Sequence, residues 1–203
     1  MQKLLLATTN KGKIQEISSF LKDLPVALVS LRDVQITTEV AETGTTYEEN
    51  SRLKAVGYAK LANLPAISDD GGLEIAALGG APGVNSRYWA GPEGLEEDNR
   101  KKMEKAAKDL PDENRNATFR TVITFALPNG KYWQTQGKID GVITKVPSEV
   151  TEPGYPYRSF FYLPDIQKHY HDVLLTPEQV KKYNHREKAI AEIKPIIERE
   201  LHV

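Results

Sequence analysis

The opening 31 residues constrain the fold more than any other stretch. Leu4-Leu5-Leu6-Ala7 is an apolar run of the length a buried strand needs. The polar turn Thr8-Thr9-Asn10-Lys11-Gly12-Lys13 follows it. Ile14, Ile17, Phe20, Leu21 and Leu24 then recur at helical spacing until Pro25 ends the pattern. Val26 to Leu31 is a second apolar run and reads as a neighbouring strand. Strand, polar loop, helix and strand in succession point to an α/β architecture.

The remaining chain fits that class. Thr46-Tyr47-Glu48-Glu49 is a capping box, in which the threonine hydroxyl accepts from the backbone three residues on and Glu49 reaches back. It opens a helix to about Leu64, with Leu53, Val56, Leu61 and Leu64 inward. Pro65 leads into a strand at Ala66-Ile67-Ser68, and Asp69-Asp70-Gly71-Gly72 reads as the turn that ends it. A charged helix is expected from Glu96 to about Leu110. Ala117 to Leu127 alternates Phe119, Thr121, Ile123, Phe125 and Leu127 along one side, and Pro128-Asn129-Gly130 turns it into a returning strand from Lys131 to Ile139. Thr176-Pro177-Glu178-Gln179 and Asn184-His185-Arg186-Glu187 start two final helices, the second of which Pro195 is expected to kink or restart. With no repeat, low-complexity tract or linker, residues 1–203 read as one mixed α/β domain with a sizeable antiparallel component.

Composition removes several classes of function. Lys+Arg 27 against Asp+Glu 28 leaves a net charge of −1, so no global field draws in nucleic acid or an anionic membrane. The absence of cysteine excludes disulfides, thiolate zinc sites, iron–sulfur clusters and cysteine nucleophiles, and suits a reducing compartment. No apolar stretch approaches the ~20 residues of a membrane span, and the N-terminal apolar run is too short for a signal peptide. A cytoplasmic protein is expected.

Three loops carry residues with chemistry. Thr8-Thr9-Asn10-Lys11-Gly12-Lys13 lies between a strand and a helix N-terminus, where unpaired N–H groups and the helix dipole favour an anion. Lys13 adds a charge, and Thr8 and Asn10 add donors; a capped helix with a solvated lysine fits the same residues. Asp69 and Asp70 at a strand end suit a hard cation such as Mg²⁺, or a base acting on water, but an ordinary Asp-Gly turn is equally consistent. Glu42-Thr43-Gly44 offers a further loop carboxylate, and Lys54 follows on the capped helix. Asn184 caps the last helix, which puts His185 and Arg186 in its first turn, able to face an anionic or hydrogen-bonding ligand. His169 and His171 lack a third ligand at metal spacing and read as a surface pair. Gly154 to Tyr162 is dense in aromatics, suited to core packing or to stacking on a base.

The order of these blocks resembles the inosine triphosphate pyrophosphatase family over nearly the whole chain. Ala7-Thr8-Thr9-Asn10-Lys11-Gly12-Lys13 with Glu16 is similar to its opening phosphate loop, and Glu42 to Asn50 with Lys54 to its second block. Leu64 to Leu73 is similar to its acidic block, Leu78 to Gly83 to the segment after it, and Asn184-His185-Arg186 with Ala189 to its C-terminal Ser-His-Arg motif. The resemblance implies an elongated mixed sheet with flanking helices, two lobes around a central nucleotide cleft, and a homodimer. It implies Mg²⁺-dependent hydrolysis of deaminated purine nucleoside triphosphates (ITP, dITP, XTP) to the monophosphate and pyrophosphate. Carried over, Thr8, Asn10, Lys13 and Lys54 hold the triphosphate. Glu42 and Asp70 bind Mg²⁺, Asp70 with Asp69 positions or activates water, and His185 and Arg186 reach the base.

Three departures lie toward the base or the rim. The family's Phe-Gly-Tyr-Asp-Pro segment is Gly154-Tyr155-Pro156-Tyr157-Arg158 here, without its Asp; Asn184 replaces a serine; and the Ser-Ala-Arg-Tyr block reads Ser86-Arg87-Tyr88-Trp89. Tyr157, Arg158 and Asn184 are therefore assigned to the base side. Arg158 is expected to donate to purine O6 and N7, as arginine does to guanine. A pyrophosphatase for modified pyrimidine or other nucleotides, and a nucleotide-binding protein without turnover, are the alternative readings.

Overall fold

The computed structural model describes residues 1–203. Seven strands, β1 (Gln2–Leu6), β2 (Val26–Ser30), β3 (Ala66–Ile75), β4 (Asn116–Ala126), β5 (Tyr132–Ile143), β6 (Phe161–Leu163) and β7 (Lys168–His169), form one sheet in the order β2-β1-β3-β4-β5-β6-β7. Five helices accompany it: α1 (Lys11–Phe20), α2 (Tyr47–Ala62), α3 (Glu96–Asp109), α4 (Pro177–Tyr183) and α5 (His185–Leu201). β1 runs parallel to both β2 and β3, whereas β5–β6 and β6–β7 are antiparallel. The mixed α/β class expected from the sequence is the one observed. No helix is long and apolar enough to cross a membrane.

The chain forms two compact units, each with its own core. The first comprises residues 1–70, 121–137 and 186–203. On one face of its strands Leu4, Leu6, Ile67, Ile123 and Phe125 pack with Ile17 and Leu21 of α1 and Ile190, Ile193 and Ile197 of α5. On the other, Leu5, Ala7, Ala66 and Ala126 pack with Ala55, Tyr58 and Ala59 of α2. A strand covered on both faces needs no polar alternation, which explains the unbroken run Leu4–Ala7. Each fully buried leucine or isoleucine contributes roughly 1.5–3 kcal/mol. That burial also carries α5 through Pro195 as one helix, so the proline does not restart it. Ile193 and Ile197 are buried on either side, while Pro195 and Ala191 are exposed, so water can take the carbonyl that the proline leaves without a donor.

The second unit comprises residues 71–120 and 138–185. Its core joins Leu73 and Ile75 of β3 to Met103 and Ala107 of α3, Ile139 and Ile143 of β5, and Phe160, Phe161 and Tyr170. Gly141 lets β6 come close: a Cβ there would lie 2.6 Å from the Phe161 ring and from the Tyr162 carbonyl oxygen. His171 is fully buried in this unit, so His169 and His171 are not the surface pair expected.

Two local readings give way to tertiary structure. Helix α1 begins at Lys11, within the stretch read as a turn, because the Asn10 side chain caps it by accepting from the Lys13 N–H at 3.0 Å. Asp69-Asp70-Gly71-Gly72 is not a turn but the middle of β3, a strand with a neighbour on each side. Its place within a ten-residue strand of the sheet outweighs the local Asp-Gly preference, and neither glycine takes a positive φ. Both capping boxes, at Thr46 and at Thr176, form as read.

Candidate active site

Putting Asp69 and Asp70 inside a strand fixes what each can do, because successive side chains of a strand point to opposite faces. Asp69 shares its face with Ile67, against α1 and α5. Asp70 shares the face of Ala66 and Ser68, against α2. Two adjacent carboxylates thus meet two separate sets of partners.

On the α2 face Lys54 is the hub. Its Nζ donates to Glu42 Oε2 at 2.7 Å and to Asp70 Oδ1 at 2.8 Å. Burial alone would push the Lys54 ammonium toward neutrality, but the Asp70 and Glu42 charges outweigh it and raise its pKa. The Asp70 carboxyl is pushed up to about 6, first by burial and further by the neighbouring Glu42, against the pull of Lys54 and Lys13. Glu42 is also raised by burial, yet Lys54 brings it below the ordinary range. Buried hydroxyls hold this arrangement in register. Thr124 donates to Ser51 Oγ at 2.7 Å, Ser68 donates to the Ser51 carbonyl at 2.6 Å, and Gln134 donates to both Thr124 (3.0 Å) and the Glu48 carbonyl (2.8 Å). They fix α2 to the sheet, and with it the reach of Lys54 to Asp70.

On the opposite face Asp69 is completely buried and works as an anchor. Its Oδ2 accepts from Arg186 Nε at 2.8 Å and from the Thr121 hydroxyl at 2.6 Å, and its Oδ1 pairs with Lys13. The Arg186 guanidinium also pairs with the buried Glu16 of α1. Burial opposes the charge on Asp69, but Arg186 and Lys13 overcome it and hold the carboxyl well below its ordinary range. Lys13 is thereby held at the start of α1. The loop before it follows β1, and the Ala7 N–H donates to the Ile67 carbonyl at 2.8 Å, beside Ser68–Asp70. Thr8 Oγ1 accepts from the Asn10 N–H at 3.2 Å and shapes the same loop. The ends of parallel strands are where open α/β sheets take their ligands.

The other expected residues form a second constellation, in the second unit. Arg158, expected to donate directly to a base, is 1% exposed and committed internally. It donates to Glu152 at 2.8 Å and lies 3.5 Å from Asp172. Its guanidinium lies over the Tyr155 ring, 3.7 Å from the centroid. Tyr157 is buried too; its hydroxyl donates to the Ser86 carbonyl at 2.6 Å and its ring meets Trp89 edge-on. Asn184 ends α4, and its amide donates to Asp172 at 3.2 Å. His185 stacks on Phe119 with centroids 5.4 Å apart and lies 3.0 Å from the Tyr170 hydroxyl. Arg186, assigned to the base from the sequence, is engaged with Asp69 and Glu16 in the first unit.

The structure therefore brings Lys13 with Asp69 and Arg186 and Glu42 with Lys54 and Asp70 in the first unit, and places Arg158, Asn184 and His185 in the second. Thr121, Glu152, Tyr170 and Asp172 were not singled out by sequence. For Thr121 the signal was there: a threonine on the inward side of a strand, between Phe119 and Ile123, needs a buried polar partner.

Residues 4–196 match the model of the Ham1 family. The chain is 36% identical over 197 residues to a dITP/XTP pyrophosphatase of Desulforamulus reducens, covering 97% of this chain and 96% of that one. It is likewise 36% identical over 192 residues to the dITP/XTP pyrophosphatase of Escherichia coli, covering 94% and 95%. Among solved structures, a Ham1 protein from Coxiella burnetii aligns with a TM-score of 0.81 at 31% identity, over 97% of this chain and 98% of its own. The Ham1 protein of Staphylococcus aureus aligns with a TM-score of 0.79 at 30% identity, over 98% and 100%. With the family model matched along almost its full length, this chain belongs to the Ham1 family.

Proposed function

We propose that the protein hydrolyses deaminated purine nucleoside triphosphates (ITP, dITP and XTP) to the monophosphate and pyrophosphate, with Mg²⁺, and so clears them from the nucleotide pool. The observation that carries this reading is the trio Glu42–Lys54–Asp70 on one face of β3, with Lys13 at the start of α1. The names of its relatives, dITP/XTP pyrophosphatases, support the same reaction. Balanced charge and absent cysteine support action on free nucleotides in the cytoplasm.

The donor set fits a hard divalent cation. Glu42 and Asp70 offer carboxylate oxygens close enough to share one ammonium, and Asp70 holds its proton unusually tightly, first because it is buried and further because the Glu42 charge lies beside it. Mg²⁺ usually takes one or two carboxylates plus substrate phosphates, and no third acidic or histidine ligand joins these two. Glu42 and Asp70 would hold the ion, which when bound supplies positive charge to the phosphates. Lys13 and Lys54 add fixed positive charge where negative charge develops on the departing pyrophosphate. Thr8 and the Asn10 amide orient the triphosphate at the N-terminus of α1. Asp70 orients water toward the α-phosphorus and accepts its proton. The new bond is water oxygen to α-phosphorus, and the bond to the bridging α–β oxygen breaks.

A panel of ITP, XTP, dITP, GTP, ATP and pyrimidine triphosphates with Mg²⁺, followed by pyrophosphate release, tests the reading. The expected result is a strong preference for ITP, dITP and XTP. Preference for a pyrimidine nucleotide, or no pyrophosphate from any of them, would refute it.

A further inference from the structure

Helix α2 carries a glycine, Gly57, in its interior, where glycine forms helix less readily than alanine. It takes no positive φ, so conformational freedom is not what it supplies. It supplies room. A Cβ at position 57 would lie 2.9 Å from each γ-methyl of Val40 and 3.5 Å from the Val40 Cβ. Val40 is thus seated in a notch on α2, and its N–H donates to the hydroxyl of the next helix residue, Tyr58, at 3.3 Å. From there the chain runs back along α2, and alternate residues meet one stripe of the helix. After Val40 on Gly57, Glu42 Oε2 accepts from Lys54 Nζ at 2.7 Å, and the Gly44 N–H donates to Asn50 Oδ1 at 2.8 Å. Asn50, Lys54 and Gly57 follow one another at helical spacing and so share one face of α2. Beyond Gly44 the strap is fixed to the helix start, where the Thr45 N–H donates to the Glu49 carboxylate at 2.7 Å.

The Glu42 side chain is 32% exposed, so its own packing does not set its place; the backbone on either side does. We propose that Gly57 is a positioning residue for Glu42: its notch seats Val40, and the strap so anchored at both ends holds the Glu42 carboxylate against Lys54, beside Asp70. Its bearing on turnover rests on the reading above, in which Glu42 and Asp70 hold Mg²⁺. Turning the Val40 side chain does not make room for a methyl at position 57. Its two methyls fill two of the three staggered places on Cβ, so every rotamer leaves at least one of them against the notch. The strap backbone gives way instead, and carries Glu42 with it.

The test is a double-variant cycle on the full chain, read in two ways. In ¹H–¹⁵N NMR of lysine ammonium groups, the Lys54 signal, assigned by its loss in Lys54→Met, reports the contact with Glu42. Gly57→Ala should shift it, and so should Val40→Ala, which leaves the notch unfilled. Combining the two should restore it, because the new Cβ at position 57 then meets the Cβ at position 40 at 3.5 Å, an ordinary contact. Gly57→Ala should also raise the Mg²⁺ concentration for half-maximal pyrophosphate release from ITP by about tenfold, the scale of one lost hydrogen bond to a charged group. At saturating Mg²⁺ its kcat should stay near the parent's, and the combined variant should regain the parent's Mg²⁺ requirement. A Lys54 signal unmoved in either single variant, or a change that the combination does not reverse, overturns the proposal. If Gly57→Ala fails to fold, Val40→Ala decides by the same signal. If the unaltered protein releases pyrophosphate from no triphosphate, the pyrophosphatase reading fails, and the NMR cycle still decides the role of Gly57.

Discussion

Replacing Asp70 with Asn is expected to reduce pyrophosphate release by about 10²–10⁴-fold, the range for losing a positioned acid–base group, while leaving the protein at least as stable at pH 8. The two effects have one cause. Burial first, and the nearby Glu42 charge second, push the Asp70 carboxyl up to about 6, so the folded protein holds that proton more tightly than the unfolded chain, near 3.8. A raised folded pKa contributes stability that is complete below the unfolded value and is lost as pH rises through the folded one. Unaltered protein should therefore lose stability between about pH 4 and 6, by at most about 3 kcal/mol for two pKa units, and level off above. In Asp70→Asn that decline should vanish. Urea unfolding across pH 4–8 reads this, and a variant clearly less stable than the parent at pH 8 would contradict it.

The adjacent residue should behave in the opposite way. Asp69→Ala is expected to cost about 3–5 kcal/mol, as for removing one partner from a buried ion pair, because Arg186 and Lys13 lose the carboxylate they share and Thr121 loses its acceptor. Burial raises the Asp69 carboxyl, but Arg186 and Lys13 hold it well below its ordinary range. A depressed folded pKa contributes stability present above the unfolded value and lost as pH falls toward the folded one. Asp69 should therefore matter fully at pH 7, and its variant should show less acid-induced loss below about pH 4. Denaturant unfolding at pH 7 checks the first effect and acid unfolding the second. An Asp69→Ala protein as stable as the parent would mean that the buried charges around it repack without cost.

These residues also show what a sequence can and cannot disclose. The opening strand, loop and helix, the capping boxes at Thr46 and Thr176 and the charged helix α3 were legible because each is specified by neighbours in sequence. The place of Asp69 and Asp70 was not. Their Asp-Gly run reads as a turn, and only its place within the sheet makes it a strand and separates the two carboxylates by face. Arg158 was legible as an unusual charge in an aromatic segment, but two of its partners, Tyr170 and Asp172, come from beyond β6, so its burial could not be read locally. His171 looked like one of a polar surface pair for the same reason. The pairing of Arg186 with Glu16 joins α5 to α1, from opposite ends of the chain. No local pattern discloses such a contact.

The central claim is that the Asp70 face directs water at the α-phosphorus of a bound purine nucleoside triphosphate. Its most direct test is hydrolysis of ITP in H₂¹⁸O with Mg²⁺, followed by mass analysis of both products. The account predicts one ¹⁸O in the inosine monophosphate and none in the pyrophosphate. Label in the pyrophosphate, or orthophosphate as the product, would place the attack at a different phosphorus and contradict it.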